Sequence, residues 1–414
     1  MAVRTRIAPS PTGFAHVGTA YTALFNYAYA QKSGGEFLLR VEDTDQKRNV
    51  SGGVEAIEEG LSWLGISWHG DIVKQSDRRA IYEKYAVGLL EKGAAYRDGG
   101  GIILKVDPKV IYWDDVVRGK IEFPEGQTKD FPILKSDGYP AYNFAVVVDD
   151  HEMGISHVIR GEDHISNTPR QLAVYQALDW EPPSFAHFPL LRNTDKSKMS
   201  KRGGDVAISG YKDKGFLPNA LLNYLALLGW SHPEGKEIFS LEEFVENFTL
   251  ERIKTSAPIF DVKKLEWMNG QYTKQLSISK FQLLIGDFYA GKYDMGMIGQ
   301  TFPLVRERLR TLKDYEELAG FFYERPTVDT DIFGANYKKH LEIAFDLLSS
   351  VQNWGIGEVN ERLEKVVTDE SVHTGQFFMD LRVVITGKKV TPPLNDSLAI
   401  LGKDETLARI KKFL

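Results

Sequence analysis

Two short segments of the sequence contain residue types that could bind phosphate groups. The first runs from His16 to Thr19, after a predicted strand and at the start of a predicted helix. Backbone N–H groups and the helix dipole favour an anion at such a junction, and Gly18 lets a ligand approach the backbone. The lysine that a phosphate loop needs is missing, because Thr19 and Ala20 follow Gly18. By itself the segment could equally be an ordinary helix-entry turn.

The second segment, residues 196–202, is basic: it has four cations in seven positions and is followed by Gly203 and Gly204. A loop of this composition could close over phosphate groups. Most charge runs, however, are only solvated loops, so this segment alone does not establish a phosphate site.

Regular elements must position these two segments. Apolar spacing and turn residues predict strands at 6–8, 36–41, 156–160 and 188–191, a helix at about 19–32, and a helix that opens at Thr168 and Pro169. The first strand, helix and strand form a βαβ unit, for which we expect a right-handed crossover and a parallel sheet. Residues 99–135 are β-rich and resemble an insertion or a smaller subdomain that splits the sheet in sequence.

The chain becomes helical after Leu217. Helices are predicted at 219–228, at 240–248 with a capping box from Ser240 and Glu243, at 261–268, and through most of 281–414, including 306–317 and 405–413. The predicted fold class is therefore α/β, with helical modules after an N-terminal α/β module.

Composition limits the function classes. A chain of 414 residues with 43% hydrophobic and 26% charged residues is expected to fold into two or three domains and not to be disordered. The net charge of -6 offers no bulk electrostatic argument for nucleic acid or membrane, although local basic clusters remain possible.

The absence of cysteine excludes disulfides, thiol nucleophiles and thiolate metal sites, which favours a cytoplasmic enzyme. The first ten residues do not resemble a secretory signal, and the longest apolar stretch, 220–230, is too short to span a bilayer. We therefore expect no membrane partner.

Together, the segments at 16–19 and 198–202 resemble the paired signatures of class I aminoacyl-tRNA synthetases. Further motifs resemble the glutamyl-tRNA synthetase family, and they extend over essentially the whole chain. They lie at residues 4–13, 24–28, 40–45, 134–140, 158–163, 268–270, 386–387 and 392–393.

The resemblance implies a Rossmann-like catalytic domain with a reduced insertion, followed by all-α stem-contact and anticodon-binding domains. The implied boundaries are 1–98 and 136–195 for the catalytic domain, 99–135 for the reduced acceptor-end insertion, 196–275 for the stem-contact domain with the basic loop, and 276–414 for the anticodon-binding region, which could divide near residue 320. A cytoplasmic monomer is also implied.

The implied activity is glutamate–tRNA ligation. The α-carboxylate of L-glutamate attacks the α-phosphorus of ATP, and the resulting glutamyl-adenylate passes its acyl group to the 3′-terminal adenosine of tRNA-Glu. The resemblance implies that the catalytic residues are His16, Gly18, Lys198 and Lys201, and that the ATP-binding residues are these four with Ser10, Thr19 and Ser200. Mg²⁺ is expected through the ATP phosphates, without assigned protein ligands, and no zinc is expected.

Selection of glutamate requires a cation for the side-chain carboxylate and an anion for the ammonium group. By resemblance, Arg6 reads the carboxylate and Glu42 takes the ammonium, and a bidentate arginine suits a carboxylate better than an amide. The implied glutamate-binding residues are Arg6, Ala8, Ser10, Glu42, Tyr142 and Arg160. The alternative for Arg6 and Glu42 is a mutual salt bridge. His164, His187 and His373 are expected to be isolated structural histidines.

Two departures from the family leave alternatives open. A few dozen residues of the usual insertion are absent around Gly99 to Gly101, so the chain is either a naturally reduced member or lacks a segment. Arg306 and Arg308 are implied to contact tRNA, and Arg308 matches an arginine that rejects tRNA-Gln in some members, although a solvated helix face is the alternative. The competing functions are a non-discriminating ligase that also charges tRNA-Gln and a catalytically silent tRNA-binding homologue.

Overall fold

The computed structural model describes residues 2–197, 199, 206–366 and 372–414. The chain divides into two compact units, Met1–Asp213 with Pro218–Met268 and Lys214–Leu217 with Asn269–Leu414. Within the described ranges, no helix is both long and apolar enough to cross a bilayer.

The strands of the described residues all belong to the first unit. They are β1 (Arg4–Ile7), β2 (Glu36–Val41), β3 (Val73–Lys74), β4 (Ala95–Asp98), β5 (Gly101–Leu104), β6 (Ile111–Asp115), β7 (Gly119–Phe123), β8 (Phe131–Leu134), β9 (His157–Gly161) and β10 (Ser184–Phe188).

Helices accompany these strands and make up the rest of the regular structure. Those of the first unit are α1 (Val17–Lys32), α2 (Gly53–Trp63), α3 (Arg79–Glu91), α4 (Tyr142–Glu152), α5 (Thr168–Ala177), α6 (Ile208–Asp213), α7 (Pro218–Gly229) and α8 (Leu241–Asn247). Helix α9 (Val262–Lys274) runs from the first unit into the second. The second unit continues with α10 (Ile278–Phe288), α11 (Met295–Val305), α12 (Asp314–Ala319), α13 (Tyr337–Ser349), α14 (Ile356–Glu364), α15 (Thr374–Thr386), α16 (Leu394–Leu401) and α17 (Lys403–Lys411).

The predicted βαβ unit is present at the N-terminus, and the expectation of parallel strands is confirmed by the pairing of β1 with β2. Helix α1 begins directly after His16, because the ring of His16 caps it: Nδ1 accepts the N–H of Gly18 at 2.8 Å. The helix ends before Gly34, which adopts a φ of 61°, a conformation that glycine tolerates at helix ends.

Parallel strands form the scaffold of the first unit. β3, β2 and β1 are consecutive parallel neighbours, as are β9, β10 and β6. Two hydrogen bonds place the start of β9 beside the start of β1: the Ser156 N–H donates to the Arg4 carbonyl at 3.0 Å, and the Arg4 N–H donates to Ser156 Oγ at 2.8 Å. The carboxyl ends of β1, β9 and β10 therefore lie on one side of the unit.

Residues 99–135 contribute to two sheets. β5 lies between β4 and β8 in an antiparallel sheet, whereas β6 pairs in parallel with β10 and carries β7 at its other edge. The hairpin between β4 and β5 has a two-residue turn, since Asp98 pairs with Gly101 and only Gly99 and Gly100 lie between them. Both turn residues have positive φ, 55° and 81°, which a tight hairpin of this kind requires.

The strand predicted at 188–191 is wrong in its position. β10 spans Ser184–Phe188, pairs with β9 along its whole length and buries Phe185 to Phe188. Pro189 has no N–H with which to continue the ladder, so the strand ends where it was predicted to begin.

The continuous helix predicted at 306–317 is also wrong. Helix α11 ends at Val305, and α12 starts only at Asp314. The carboxylate of Asp314 accepts the N–H groups of Arg310 and Thr311 at 2.8 and 2.9 Å. These backbone groups therefore bond to a side chain instead of continuing a helical ladder.

Each unit has an apolar core of its own. In the first, α3, α4 and α5 pack around Tyr82, Phe144, Val148 and Val174, all of which are fully buried. The core of the second is formed from the helices after α12, with fully buried Leu341, Phe377 and Leu398 among its members. Burial of each such side chain contributes roughly 1.5–3 kcal/mol before conformational entropy is subtracted.

Candidate active site

A cleft of about 460 Å³ opens at the carboxyl ends of three parallel strands. Its lining includes Ile7, Gly161 and Phe188, the last residues of β1, β9 and β10. The N-terminal turn of α1 contributes a further wall. Ligands of α/β proteins bind at this edge of the sheet, since strand ends and helix N-termini present polar backbone groups there.

The cleft brings together most of the residues that the sequence analysis selected. The predicted site residues that line it are Arg6, Ala8, His16, Gly18, Thr19, Glu42, Tyr142 and Arg160. Ser10 is exposed and is not among the lining residues. Lys198, Ser200 and Lys201 lie outside the described residues, and Arg306 and Arg308 belong to the second unit.

His16 is held so that one ring nitrogen can donate a hydrogen bond. Because Nδ1 accepts the Gly18 N–H, the proton of the neutral ring lies on Nε2. The main chain at this position is fixed by residues beyond the basic segment: the Val17 N–H donates to the Val206 carbonyl at 2.8 Å. Within that segment, Met199 lines the cleft and its N–H donates to the Leu191 carbonyl at 3.2 Å.

A buried cluster of guanidinium and carboxylate groups forms one wall. Arg6 meets Asp150 side-on, with Nε to Oδ1 at 3.0 Å and Nη2 to Oδ2 at 3.2 Å. Fully buried Arg40 lies 2.6 Å from Asp150 and 3.2 Å from Glu42. The suggested mutual salt bridge of Arg6 and Glu42 is therefore not formed, because each has another partner.

The charges in this cluster shift one another's pKa values. Burial raises the pKa of Glu42, and the positive charges of Arg40 and Arg6 only partly oppose that effect. Burial would also raise the pKa of Asp150, but Arg6 and Arg40 outweigh it and the pKa is lowered. For Arg40, burial is outweighed by Asp150, Glu42 and Asp149, so its pKa is raised. Asp150 is thus firmly ionised, whereas Glu42 is closer to its protonated form.

Arg160 differs from the other buried arginines of the cleft in its partners. Its Nε donates to His187 Nε2 at 3.0 Å and its Nη2 donates to Thr168 Oγ1 at 2.8 Å, so both partners are uncharged acceptors when His187 is neutral. Among the described residues, no carboxylate oxygen lies within 4.0 Å of this guanidinium. Burial lowers the pKa of Arg160 to about 10. The side chain therefore carries a positive charge in the cleft that has no direct carboxylate partner among the described residues.

Tyr142 and His164 form a pair at the mouth of the cleft, with 3.0 Å between the hydroxyl and Nδ1. Burial, followed by the charge of Glu42, raises the pKa of Tyr142. Burial, followed by the charge of Arg160, lowers the pKa of His164 to about 4. His164 is therefore a neutral site residue near pH 7, and the expectation that it is isolated was wrong.

His187 and His373 have partners as well. His187 is fully buried between Asp115 and Arg160, and His373 caps α15 by accepting the Gln376 N–H at 3.2 Å. Each is satisfied, as expected of a structural histidine, but neither is isolated.

Sequence reasoning missed Arg40, Asp149 and Asp150. A signal for them was present: two adjacent aspartates follow the apolar run 144–148, and Arg40 lies two residues before Glu42, the residue that directly follows β2. Buried carboxylates need cations, so these residues could have been paired on chemical grounds. No group of three or more His, Asp or Glu side chains in the described part of the chain is arranged so that it could hold a metal ion.

Comparison with known proteins shows which family the chain belongs to. Residues 2–100 and 102–267 match the profile described as tRNA synthetases class I (E and Q), catalytic domain, and residues 263–414 match the one described as anticodon binding domain. The chain belongs to the class I tRNA synthetases. The family implies the use of ATP.

The names of the individual relatives to which this chain is similar agree with this family and specify glutamate. Glutamate–tRNA ligase 2 of Fervidobacterium nodosum is 39% identical, with 99% of this chain and 96% of the relative covered. Glutamate–tRNA ligase of Thermus thermophilus is 38% identical over 467 residues, with 100% of both chains covered. Among solved structures, a glutamate tRNA ligase of Elizabethkingia meningosepticum, in complex with its amino acid, superimposes with a TM-score of 0.90 at 28% identity, covering 100% of this chain and 99% of that chain.

Proposed function

We propose that this synthetase is a glutamate–tRNA ligase, which activates L-glutamate with ATP and transfers it to the 3′-terminal adenosine of tRNA-Glu. The observation that carries the proposal is the guanidinium of Arg160, whose hydrogen-bond partners are His187 and Thr168 and not a carboxylate, in a cleft that also contains Glu42. Such a cleft offers a cation for a carboxylate and an anion for an ammonium group. The names of the full-length relatives support the same substrate.

Glutamate recognition is assigned to the wall formed by β1, β2 and β9. Arg6 and Arg160 receive the side-chain carboxylate, Glu42 accepts the ammonium group, and Ala8 and Tyr142 complete the pocket; Ser10, which does not line the cleft itself, is assigned a contact from beside it. Arg6 uses Nε and Nη2 for Asp150, and its Nη1 has no hydrogen-bond partner among the described residues, which leaves N–H groups for a ligand. A carboxylate matches two guanidinium groups better than the neutral amide of glutamine does.

ATP is assigned to the start of α1 and to the basic segment. His16, with its proton on Nε2, donates to a phosphate oxygen, and the backbone at Gly18 and Thr19 carries N–H groups at a helix N-terminus. A side chain at Gly18 would crowd this turn, since its Cβ would lie 3.1 Å from His16 Nδ1. Ser10, Lys198, Ser200 and Lys201 are assigned the remaining ATP contacts. Two described neighbours of Lys201 in sequence support this assignment: Met199 lines the cleft, and the carbonyl of Val206 accepts the N–H of Val17, next to His16.

The chemistry then follows from positioning and charge. Glutamate held by Arg160 and Glu42 presents its α-carboxylate to the α-phosphorus of ATP, and the leaving pyrophosphate takes the developing negative charge. Lys198 and Lys201 stabilise that charge, as cations do in phosphoryl transfer generally. This step needs no strong base from the protein, because a carboxylate is already nucleophilic. Mg²⁺ would enter with the ATP phosphates and needs few protein ligands; no zinc site is proposed.

The domain boundaries are proposed as the resemblance implies them: a catalytic domain at 1–98 and 136–195, a reduced acceptor-end insertion at 99–135, a stem-contact domain at 196–275 and an anticodon-binding region at 276–414. The tight turn at Gly99 and Gly100 supports a naturally reduced insertion, because the hairpin is closed without spare residues. The alignment with the Thermus relative extends over 467 residues, more than the 414 of this chain.

Arg306 and Arg308 are assigned contacts with the anticodon of the tRNA. Arg308 is also assigned the rejection of tRNA-Gln. Both are exposed, and they lie in the irregular segment between α11 and α12 rather than on a helix face. Arg308 Nη1 donates to the Thr391 carbonyl, which holds its side chain in one direction. A cytoplasmic monomer completes the proposal.

Aminoacylation with the purified protein tests the function. We expect charging of tRNA-Glu with L-glutamate, little charging of tRNA-Gln, and no charging with L-glutamine. Equal charging of both tRNAs would show that the enzyme is the non-discriminating ligase and not the discriminating one. Absence of any charging, together with retained tRNA binding, would show a catalytically silent homologue and contradict the proposal.

A further inference from the structure

We propose that Asp115 and His187 are positioning residues, which hold the guanidinium of Arg160 in the cleft without neutralising its charge. The inference rests on the proposed function, because it concerns how the same cleft distinguishes a carboxylate from a neutral group. Neither residue lines the cleft, so both act through Arg160.

The three residues lie on three neighbouring strands. Arg160 on β9 is directly opposite His187 on β10, and Asp115 is the last residue of β6, the other neighbour of β10. All three side chains are buried, with exposed fractions of 5% for Arg160, 0% for His187 and 3% for Asp115. The sheet therefore fixes the backbone positions of Asp115, His187 and Arg160. Only the rotation of their side chains depends on other contacts.

Asp115 determines the rotation of the His187 ring. Its Oδ2 lies 2.5 Å from Nδ1 of His187, and its Oδ1 accepts the N–H of His187 at 3.1 Å. Oδ1 also accepts the N–H groups of Val117 and Arg118, at 3.1 and 3.0 Å. One carboxylate thus binds both the main chain and the ring of His187. The ring cannot turn without breaking its hydrogen bond to Asp115.

The same contact selects the tautomer of His187. Burial alone would raise the pKa of Asp115, but its hydrogen bonds with His187 outweigh burial and the pKa is lowered. The carboxylate is therefore ionised and can only accept hydrogen bonds. The His187 proton must then lie on Nδ1. Burial lowers the pKa of His187 itself, which keeps the ring neutral and leaves a lone pair on Nε2. That lone pair is the acceptor for Arg160 Nε at 3.0 Å.

The consequence for ligand binding is apparent from a comparison with Arg6. Both arginines have Nε and Nη2 occupied by protein groups. For Arg6 the acceptor is the charged Asp150, whereas for Arg160 the acceptors are a neutral imidazole and the hydroxyl of Thr168. Arg160 is therefore held through the same two nitrogens as Arg6, but no carboxylate of the protein is bound to it, so its charge is available to an incoming carboxylate.

Replacement of Asp115 by Asn tests the tautomer. In Asp115→Asn, Oδ1 can keep the three backbone hydrogen bonds while Nδ2 becomes a donor toward His187 Nδ1. The ring proton is then forced to Nε2, where it opposes the Nε–H of Arg160. We expect the KM for L-glutamate in tRNA-Glu charging to rise about tenfold, the effect of one hydrogen bond to a charged group, with the KM for ATP changed less than about twofold.

A matched control is available in the second unit. Asp380 binds buried His340 through Oδ2 at 2.7 Å and accepts a backbone N–H through Oδ1, which is the same arrangement. Asp380→Asn should lower the thermal midpoint to a similar extent without raising the KM for glutamate. Equal KM values for glutamate in Asp115→Asn and wild type would overturn the proposal.

Two substitutions of His187 decide the question even if Asp115→Asn fails to fold. His187→Gln supplies a neutral carbonyl acceptor for Arg160, whereas His187→Leu has a similar volume and no acceptor. The KM for glutamate should rise less than about threefold in the first and about tenfold or more in the second. Identical values for the two would show a purely structural role. Wild-type protein that charges no tRNA with glutamate would instead contradict the proposed function itself.

Discussion

Arg6 and Asp150 form a side-on ion pair in which both side chains are almost completely buried, with Nε–Oδ1 and Nη2–Oδ2 distances of 3.0 and 3.2 Å. Asp150 also binds Arg40 at 2.6 Å, so one carboxylate from α4 holds the guanidinium groups of β1 and β2 together. The removal of one partner of such a pair leaves buried charge without compensation.

Asp150→Asn should therefore destabilise the first unit strongly. We expect the free energy of unfolding in urea to fall by about 3 kcal/mol, the usual cost of breaking a buried pair. Glu36→Gln is the control, since it removes the half-exposed ion pair with Arg4 at 2.6 Å and should cost less than about 1 kcal/mol. Similar losses in the two variants would contradict the assigned importance of the buried pair.

The ionisation of Glu42 should control the pH dependence of glutamate binding. Its pKa is raised by burial, so its negative charge is lost at a higher pH than for an ordinary glutamate. The KM for glutamate should rise as the pH is lowered through the acid range, because protonation of Glu42 removes the negative charge that faces the ammonium group. Measurement of KM across this range, with KM for ATP as the reference, checks the prediction.

Glu42→Gln supplies the comparison for that profile. The variant should raise the KM for glutamate at least tenfold at pH 7.5, since the ammonium loses a charged acceptor. It should also flatten the acid-side rise in KM. A variant profile that still rises like wild type would assign the titration to another group.

Lys201→Ala should slow adenylate formation while leaving the fold intact. Loss of the cation that we propose to stabilise the departing pyrophosphate should reduce the rate of ATP–pyrophosphate exchange, measured with tRNA-Glu present, by about 10²-fold or more. Lys212→Ala, which removes an exposed cation from α6, should remain within about twofold of wild type. Comparable rates for the two variants would refute the role given to Lys201.

The contact between Glu405 and Arg325 should stabilise the second unit in a pH-dependent manner. Hydrogen bonds from Arg325, and then Arg409, lower the pKa of Glu405 to about 2 from 4.5. Because the pKa of the folded state is the lower one, this stabilisation is complete above about pH 4.5 and is lost as the pH falls toward 2.

Glu405→Gln should consequently be less stable than wild type at pH 7 by about 1 kcal/mol, since water screens the exposed Arg325. The difference in thermal midpoint should shrink as the pH is lowered from 4.5 to 2. Glu324→Gln serves as the control, because Glu324 is exposed and its carboxylate has no ion pair within the described part of the chain. A pH-independent difference for Glu405→Gln would exclude the ion pair as its cause.

The elements that were predicted correctly depend on local signals. The spacing of apolar residues in α1, the glycines after it and the alternation in β2 each act within a few residues, so the βαβ unit could be predicted. The strand at 188–191 failed because Pro189 and the register with β9 override an apolar run. The helix at 306–317 failed because a single side chain, Asp314, takes the N–H groups that a helix would use.

The sequence alone indicates a phosphate site at the His16 turn and the basic segment, and the resemblance to the family adds Arg6, Glu42 and Arg160 as predicted glutamate contacts. The partners that orient Arg6, Glu42 and Arg160 are seen only in the tertiary structure. Asp150 is 144 residues from Arg6, and His187 is 27 residues from Arg160. Partners at such separations are selected by strand order and by the need to satisfy buried charge, and neither is encoded in the spacing of neighbouring residues.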